Sequence, residues 1–548
     1  MGEQRRPDVS NMTDIASWTV RDKVGQLFVC GFHGHTASEG LCELIEQYGL
    51  GGTIYFSRNI MNAEQVHTLS SSIQKVAEDA GRPPLFTAID QEGGMVARLV
   101  EGVTLMPGNM ALGATGSDEG ARETARVCGE ELRLLGVNMN YAPCLDVNNN
   151  PNNPVINVRS YSDRPDLVSR LGTAAVLGYQ SAGIAATVKH FPGHGDTDVD
   201  SHRDLPVVAH SRERLDAVEL VPFRAAISAG ADVIMTAHVC LPVLDPSGVP
   251  STLSEPVITG LLREELGYDG VVVTDCLEMN AIDTFYGPEQ GAVMALKAGA
   301  DMVLVSHTLE KQRAAIEAVI AAVESGELPL SRVEEAAGRV LRLKERRTLT
   351  YELQPWEEVA GQLAAPEHRA VAQRWSEASV TLVKDEMGLL PLSKDAKTLV
   401  LWPDIVPVSE ADEMLAGDGT LGASLVKQGF TRLTERIMSS TEPLASLEAF
   451  DQIIVATYDA VKHPLERRIA EEVIRLAGER CVMVSVRNPL DLTVYPNAAV
   501  YLAVYECRSL ALASAAKALA GELQPLGRLP LELSPAYPYG WSWAIASE

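Results

Sequence analysis

Eight short apolar segments recur between residues 27 and 305, at 27–29, 53–56, 85–89, 137–141, 184–188, 233–236, 271–274 and 302–305. Each is too short for a helix and of the right length for a buried strand. Between them lie amphipathic stretches such as 118–135 and 288–298. Alternating strands and helices imply β-α units and a parallel sheet. Eight such units in about 350 residues predict an α/β fold with a (β/α)8 barrel of the TIM type. Polar residues cluster just after the apolar segments: Asp90, Asp146, Lys189 with His190, His238 and Asp275. The C-terminal ends of the strands form the catalytic face of such a barrel. An open doubly wound sheet also places ligands at strand C-termini, so this clustering favours the barrel without excluding the alternative.

The chain has 548 residues, more than one core accommodates. Residues 330–347 read as a closing helix, with Ser331 and Glu334 in capping-box spacing and a basic last turn. We place the barrel domain at 1–347 and a linker at 348–375. A second, smaller, sandwich-like α/β domain is expected at 376–548. Its strand-like segments are 379–383, 398–402, 452–456, 481–486 and 498–503, with a helix over Pro464–Ala477. The sequence contains no internal repeat.

Charge narrows the partners. Lys and Arg total 46 against 73 Asp and Glu, a formal net charge of −27. That balance argues against nucleic acid and against an anionic membrane surface. It suits a neutral substrate, or an anionic one held by a few local cations. Residues 1–17 are polar and lack the apolar core of a signal peptide, and no stretch of eighteen apolar residues occurs. The eight cysteines are scattered singly, without Cys-x-x-Cys. Free thiols in a reducing cytoplasm are the expectation.

The stretch Lys189-His190-Phe191-Pro192-Gly193-His194-Gly195-Asp196-Thr197-Asp198-Val199-Asp200-Ser201-His202 carries the densest chemistry. It follows the fifth apolar segment. Its Pro and Gly residues predict a loop, expected to be mobile, after the Lys-His pair. Asp200 and His202 can act together, the carboxylate orienting the imidazole and supporting its cationic form for general acid and base work. Ser201 lacks the Gly-x-Ser-x-Gly elbow of a serine nucleophile. His190, His194, His202 and three aspartates are metal-ligand types, but no metal-site spacing is present, so no metal and no cofactor are expected. Asp275 ends the apolar run from Gly270. It reads either as a nucleophile on a rigid element or as the N-cap of a following helix. Asp90, Arg98, Asp146, Arg159 and Lys189 offer the acceptors and donors that hold sugar hydroxyls and amides.

This combination resembles the bacterial β-N-acetylglucosaminidases of glycoside hydrolase family 3. The Lys-His-Phe-Pro-Gly-His-Gly stretch followed by Asp-Ser-His is similar to the signature loop of that branch, which the family's β-glucosidases lack. Asp90-Gln91-Glu92-Gly93-Gly94 with Arg98, Ala142-Pro143-Cys144-Leu145-Asp146-Val147, Arg159-Ser160-Tyr161, Val233-Ile234-Met235-Thr236-Ala237-His238 and Val273-Thr274-Asp275 follow the family's order over roughly 20–347. The later segments 378–392, 525–530 and 537–540 resemble its second domain more weakly. One departure is Cys276, where many relatives carry a second acidic residue beside the nucleophile.

The resemblance implies that Asp275 is the nucleophile of a covalent glycosyl-enzyme, and that His202, oriented by Asp200, is the acid/base. Asp90, Arg98, Arg159, Lys189 and His190 would hold the N-acetylglucosamine ring. The expected activity is that of a retaining exo-β-N-acetylglucosaminidase acting on a small carbohydrate, from cell-wall-derived muropeptides or chitin oligomers. An N-acetylglucosaminide phosphorylase would use the same nucleophile with phosphate as acceptor, and a neutral imidazole repels phosphate less than a carboxylate does. A non-catalytic sugar-binding protein is disfavoured, because every proposed catalytic position holds a competent residue.

Overall fold

The computed structural model describes residues 15–202, 204–348, 352–409, 411–413, 419–438 and 447–546. Eight parallel strands close a barrel: β1 Phe28–Gly31, β2 Gly52–Tyr55, β3 Phe86–Ile89, β4 Met139–Asn140, β5 Ala185–Phe191, β6 Val233–Thr236, β7 Val271–Cys276 and β8 Met302–Val305. Their order around the barrel is β1-β8-β7-β6-β5-β4-β3-β2. β3 and β7 therefore face each other across it. The strands are buried on both faces, one side filling the barrel and the other lying under helices. That explains their near-continuous apolar composition.

The helix Asp118–Leu134 shows how the outer layer is set. The Ser117 hydroxyl caps it, accepting from the Gly120 N–H at 3.1 Å. Ala121, Ala125, Cys128 and Leu132 recur on its buried face. It packs closely on the helix Pro165–Ser181. A Cβ at Gly178 would stand 2.3 Å from the Arg122 carbonyl oxygen, so only glycine allows that approach.

Two local expectations change, and the open choice at Asp275 resolves. β5 does not stop at residue 188. It continues through Lys189, His190 and Phe191 with a register shift against β6, because Phe191 is a core residue packed 5.3 Å from the ring of Phe223. Lys189 and His190 are thus strand residues. Asp275 likewise lies within β7, and no helix begins on it. At the closing helix Leu330–Arg347 the Ser331–Glu334 capping box is not formed. The helix starts after Pro329 with no side-chain cap, and Glu334 instead pairs with Lys23 at 2.8 Å.

The second sheet has six strands: β9 Thr381–Asp385, β10 Thr398–Trp402, β11 Leu433–Ile437, β12 Gln452–Thr457, β13 Cys481–Ser485 and β14 Val500–Ala503. Their order is β9-β14-β13-β12-β10-β11, parallel except for β9 against β14. β11 is an addition to the expected set. It is a partly exposed edge strand of sequence LTERI, without the apolar run of its neighbours. Met95, then Met110, Ala111 and Ala114 of the short helix Asn109–Thr115, and Val158, all from the barrel unit, belong to this second hydrophobic core. The two units therefore share buried apolar surface on the side where the barrel strands end.

Candidate active site

The C-terminal ends of the barrel strands open into a pocket of about 1050 Å³ that is continuous with solvent. Asp90, Arg98, Arg159, Lys189, His190, His202 and Asp275 all line it. Asp200 does not, and stands behind His202. The eight residues singled out in the sequence thus occupy one face of the barrel.

Asp275 projects from the end of β7, where its Oδ1 accepts from the Cys276 N–H at 2.7 Å. Burial pushes its pKa up, but the surrounding imidazoles of His238, His190 and His202 outweigh burial and hold it below the ordinary carboxylate value. The carboxylate is ionised at neutral pH. His238 lies beneath it, fully buried, with Nδ1 2.8 Å from the Thr252 hydroxyl and Nε2 2.9 Å from the Cys276 carbonyl oxygen. Burial lowers the pKa of His238. The carbonyl contact places a proton on its Nε2.

Across the barrel, at the end of β3 and on β5, lies a buried ion network. Lys189 Nζ is 2.7 Å from Asp90 Oδ1 and 2.7 Å from Glu92 Oε1. Arg159 donates to Glu92 through Nη2 at 2.7 Å and Nε at 3.1 Å. Burial alone would lower the Lys189 pKa, yet Asp90 and Glu92 raise it. Burial would raise that of Glu92, and Arg159 with Lys189 drive it well below the carboxylate range. Two carboxylates thus balance two cations, all but Asp90 almost closed to solvent, and such mutual pairing is the condition under which buried charge is tolerated. Tyr141 joins this wall. Its buried hydroxyl has no partner among the described residues.

His190 is held by Asp146, with Nδ1 2.6 Å from Oδ2. Asp146 is fully buried and also accepts from the His194 N–H at 2.6 Å. Burial raises its pKa, but His190 and His194 bring it down to about 2. The loop beyond β5 is pinned from within. His194 Nδ1 is 2.8 Å from the Thr197 hydroxyl and its Nε2 3.0 Å from that of Ser201. Burial, reinforced by the neighbouring His190, lowers the His194 pKa to about 4. Asn153 donates to the carbonyls of His194 and Gly195, both at 2.9 Å. Ser201 is thereby a buried loop fastener outside the pocket. At the loop's end His202 Nδ1 is 2.7 Å from Asp200 Oδ1, and the His202 N–H donates to the same oxygen at 3.0 Å. Burial raises the Asp200 pKa, but the hydrogen bond and charge of His202 carry it down to about 2. Among the described residues each imidazole of the loop has its own partner. His190 also stands with Asp146 and Cys144 in a buried group whose possible ligand atoms lie within 4.8 Å of one another. Asp196, His210 and Glu219 likewise approach one another, with the Arg214 guanidinium 3.6 Å from Asp196 among them.

The second domain reaches into the pocket. Arg98 donates from Nη1 to Glu413 at 2.6 Å and to the Ala411 carbonyl at 3.2 Å, and Ala411 and Glu413 both line the cavity. At the rim by β2 and β8, the Arg58 guanidinium lies 4.3 Å from the centroid of the Phe56 ring. It contacts His307 Nδ1 at 3.2 Å. Sequence reading missed Glu92, Tyr141, Arg58, His307 and Glu413. Glu92 had a signal, lying two residues after Asp90; it sits on the first strand, Gln91–Gly93, of a short hairpin closed by Val96–Ala97. Glu413 had none, being an acidic loop residue 138 positions beyond Asp275 in the chain.

The chain is similar to known glycoside hydrolases. Residues 19–343 match the Glycosyl hydrolase family 3 N terminal domain. The chain is 40% identical over 388 residues to Beta-hexosaminidase A of Pseudoalteromonas piscicida, covering 66% of this chain and 64% of that protein. It therefore spans about two thirds of that relative's length. It is 36% identical over 288 residues to a Beta-hexosaminidase of Xylella fastidiosa, covering 51% of this chain and 83% of that one. Among solved structures it is similar to a glycoside hydrolase family 3 β-N-acetylglucosaminidase from Paenibacillus sp. str. FPU-7. That structure has 47% identity and a TM-score of 0.91, and the match covers 94% of this chain and 99% of the other. The barrel, the polar pocket at its strand ends and these likenesses lead to one assignment: the chain belongs to glycosyl hydrolase family 3.

Proposed function

We propose that the protein is a retaining exo-β-N-acetylglucosaminidase that releases terminal N-acetylglucosamine from β-glycosides, with muropeptides from the cell wall or chitin oligomers as the natural substrate class. The observation that carries this reading is the pairing, in one pocket, of an ionised Asp275 with the His202–Asp200 dyad, opposite a wall of sugar-binding groups. Asp90, Arg98, Arg159, Lys189 and His190 hold the ring. An Asp275 oxygen attacks the anomeric carbon as the glycosidic C–O bond breaks, and His202 gives its proton to the departing oxygen. A water molecule then attacks the same carbon. His202 takes the water's proton, and the bond to Asp275 breaks with its electron pair returning to the carboxylate. Asp200, bound to Nδ1 of the imidazole, fixes Nε2 as the nitrogen that exchanges the proton and stabilises the cation between the two steps. The imidazole takes the place of the usual second carboxylate of retaining glycosidases.

The working units in this account are a catalytic barrel at 1–347 and a second domain at 376–548, joined by 348–375. All eight cysteines are unbonded, which fits action in a reducing cytoplasm. No helix among the described residues is long and apolar enough to cross a membrane. The test is release of nitrophenol from p-nitrophenyl β-N-acetylglucosaminide, with and without phosphate, followed by product analysis on a chitin oligomer and a cell-wall fragment. Free N-acetylglucosamine in both conditions supports hydrolysis. A sugar 1-phosphate formed when phosphate is present identifies a phosphorylase, and no turnover at all leaves a sugar-binding protein.

A further inference from the structure

The activity proposed above assigns no part to the second domain, yet that domain supplies a carboxylate to the pocket. We propose that Glu413 is a specificity-determining residue: with Arg98 it reads one hydroxyl on the end of the terminal sugar remote from Asp275. The inference rests on the pocket being a sugar site.

Position comes first. Glu413 lines the cavity together with Asp90, Val96 and Arg98, the residues that follow β3. Asp275 ends β7, and the strand order puts β3 and β7 on opposite sides of the barrel. A sugar whose anomeric carbon lies at Asp275 therefore directs its ring hydroxyls toward Glu413.

Glu413 is also held in place before any ligand arrives. Its N–H donates to the Met95 carbonyl at 2.9 Å. Its own carbonyl accepts from Arg508 Nη2 at 2.7 Å, and its carboxylate accepts from Arg98 Nη1 at 2.6 Å. Arg508 is almost wholly buried and donates as well to the carbonyls of Gly94 at 2.8 Å and Met95 at 3.1 Å. One guanidinium of the second domain thus fastens Glu413 and the Asp90–Arg98 hairpin into a single unit. Arg508 is a positioning residue. Holding both groups on shared supports is what a preorganised site requires.

The chemistry fits a hydroxyl. A carboxylate only accepts, and the bond to Arg98 leaves lone pairs of Glu413 for a ligand. Arg98, a side chain more than nine-tenths buried that lines the same cavity, carries further N–H groups beside the Nη1 bonded to Glu413 and Ala411. An acceptor beside a donor matches the two capacities of a sugar hydroxyl, whose hydrogen goes to Glu413 and whose oxygen takes the Arg98 N–H. A site built to bond a hydroxyl discriminates strongly against a substrate that lacks it.

The experiment pairs the full chain and its Glu413→Ala and Glu413→Gln variants with p-nitrophenyl β-N-acetylglucosaminide and the 3-, 4- and 6-deoxy analogues. For the parent substrate, Glu413→Ala should lower kcat/KM roughly ten- to a hundredfold, mostly through KM, the size expected for a hydrogen bond to a charged group. Glu413→Gln, which keeps an acceptor oxygen, should recover part of the loss. One deoxy analogue should cost the wild type a similar factor and cost Glu413→Ala almost nothing more. A merely structural residue would lower all four substrates alike, and that result, or unchanged kinetics in Glu413→Ala, overturns the inference. If the wild type releases no nitrophenol, the activity reading has failed, and the same cycle is read by calorimetric binding of N-acetylglucosamine and its deoxy forms. Coupling there sustains the role of Glu413. Binding without coupling, or no binding, removes it.

Discussion

Replacing Glu92 by Gln tests whether the buried ion network supports the wall proposed to bind the sugar. Glu92 accepts from Arg159 at 2.7 and 3.1 Å and from Lys189 at 2.7 Å, in a site almost closed to solvent. Glutamine preserves the shape but leaves two buried cations facing Asp90 alone. Removing one partner of a buried ion pair costs about 3–5 kcal/mol. For a barrel of roughly 330 residues, an unfolding entropy near 2 cal/mol/K per residue converts this to a fall in Tm of about 4–7 °C. The pH dependence has a definite sign. The folded pKa of Glu92 is depressed by Arg159 and Lys189 against the opposing effect of burial, so the stabilisation is complete above the unfolded carboxylate value. That value is about 4.3. The stabilisation is lost as pH falls below it toward the folded value. The gap between wild type and variant should be constant from pH 6 to 8 and close on acidification. Calorimetry from neutral pH down through the unfolded carboxylate value of about 4.3 measures it, and KM for the nitrophenyl substrate should rise with the loss of placement of Lys189 and Arg159. A Glu92→Gln protein with unchanged Tm and KM would refute the network's role.

His202→Ala should lower turnover on the order of 10²-fold or more on substrates with poor leaving groups, with glycosylation spared for good ones. Asp200→Ala should also lower it, and the double variant should be little worse than the worse single one, since the pair acts as a unit; multiplicative losses measured by steady-state kinetics would break the dyad reading. At the base of the barrel Lys344 is wholly buried, 2.8 Å from Gln26 Oε1 and 5.4 Å from the Phe86 ring centroid, and burial lowers its pKa to about 7. The unfolded chain takes up this proton between about pH 10.4 and 7 while the folded chain does not, so this group's contribution to stability falls as pH drops through that window. Lys344→Met should flatten that slope and raise Tm at pH 7, as pH-dependent calorimetry would show. Prolonged EDTA treatment should leave activity unchanged; loss restored by Zn²⁺ or Mn²⁺ would return the histidine loop to metal chemistry.

The barrel was legible because its strands are buried on both faces and therefore apolar throughout, as in 271–274 and 302–305. Their C-terminal polar residues then marked one face. β11 was not legible, because an edge strand partly open to solvent carries Thr, Glu and Arg. The end of β5 needed the pairing as well as the apolar run. Lys189 and His190 can close a buried strand because Asp90, Glu92 and Asp146 pair with them inside the barrel. Local spacing revealed the Asp200–His202 pair, two residues apart. It could not reveal Glu413 beside Arg98, since that contact depends on how the second domain packs on the first.

The role of Asp275 is tested most directly by trapping the covalent intermediate. Incubation with a 2-acetamido-2-deoxy-5-fluoro glycosyl fluoride, then proteolysis and mass spectrometry, should find one sugar esterified to Asp275, and Asp275→Ala should remain folded, unlabelled and nearly inactive. A label on another residue, or near-normal turnover by Asp275→Ala, would contradict the account.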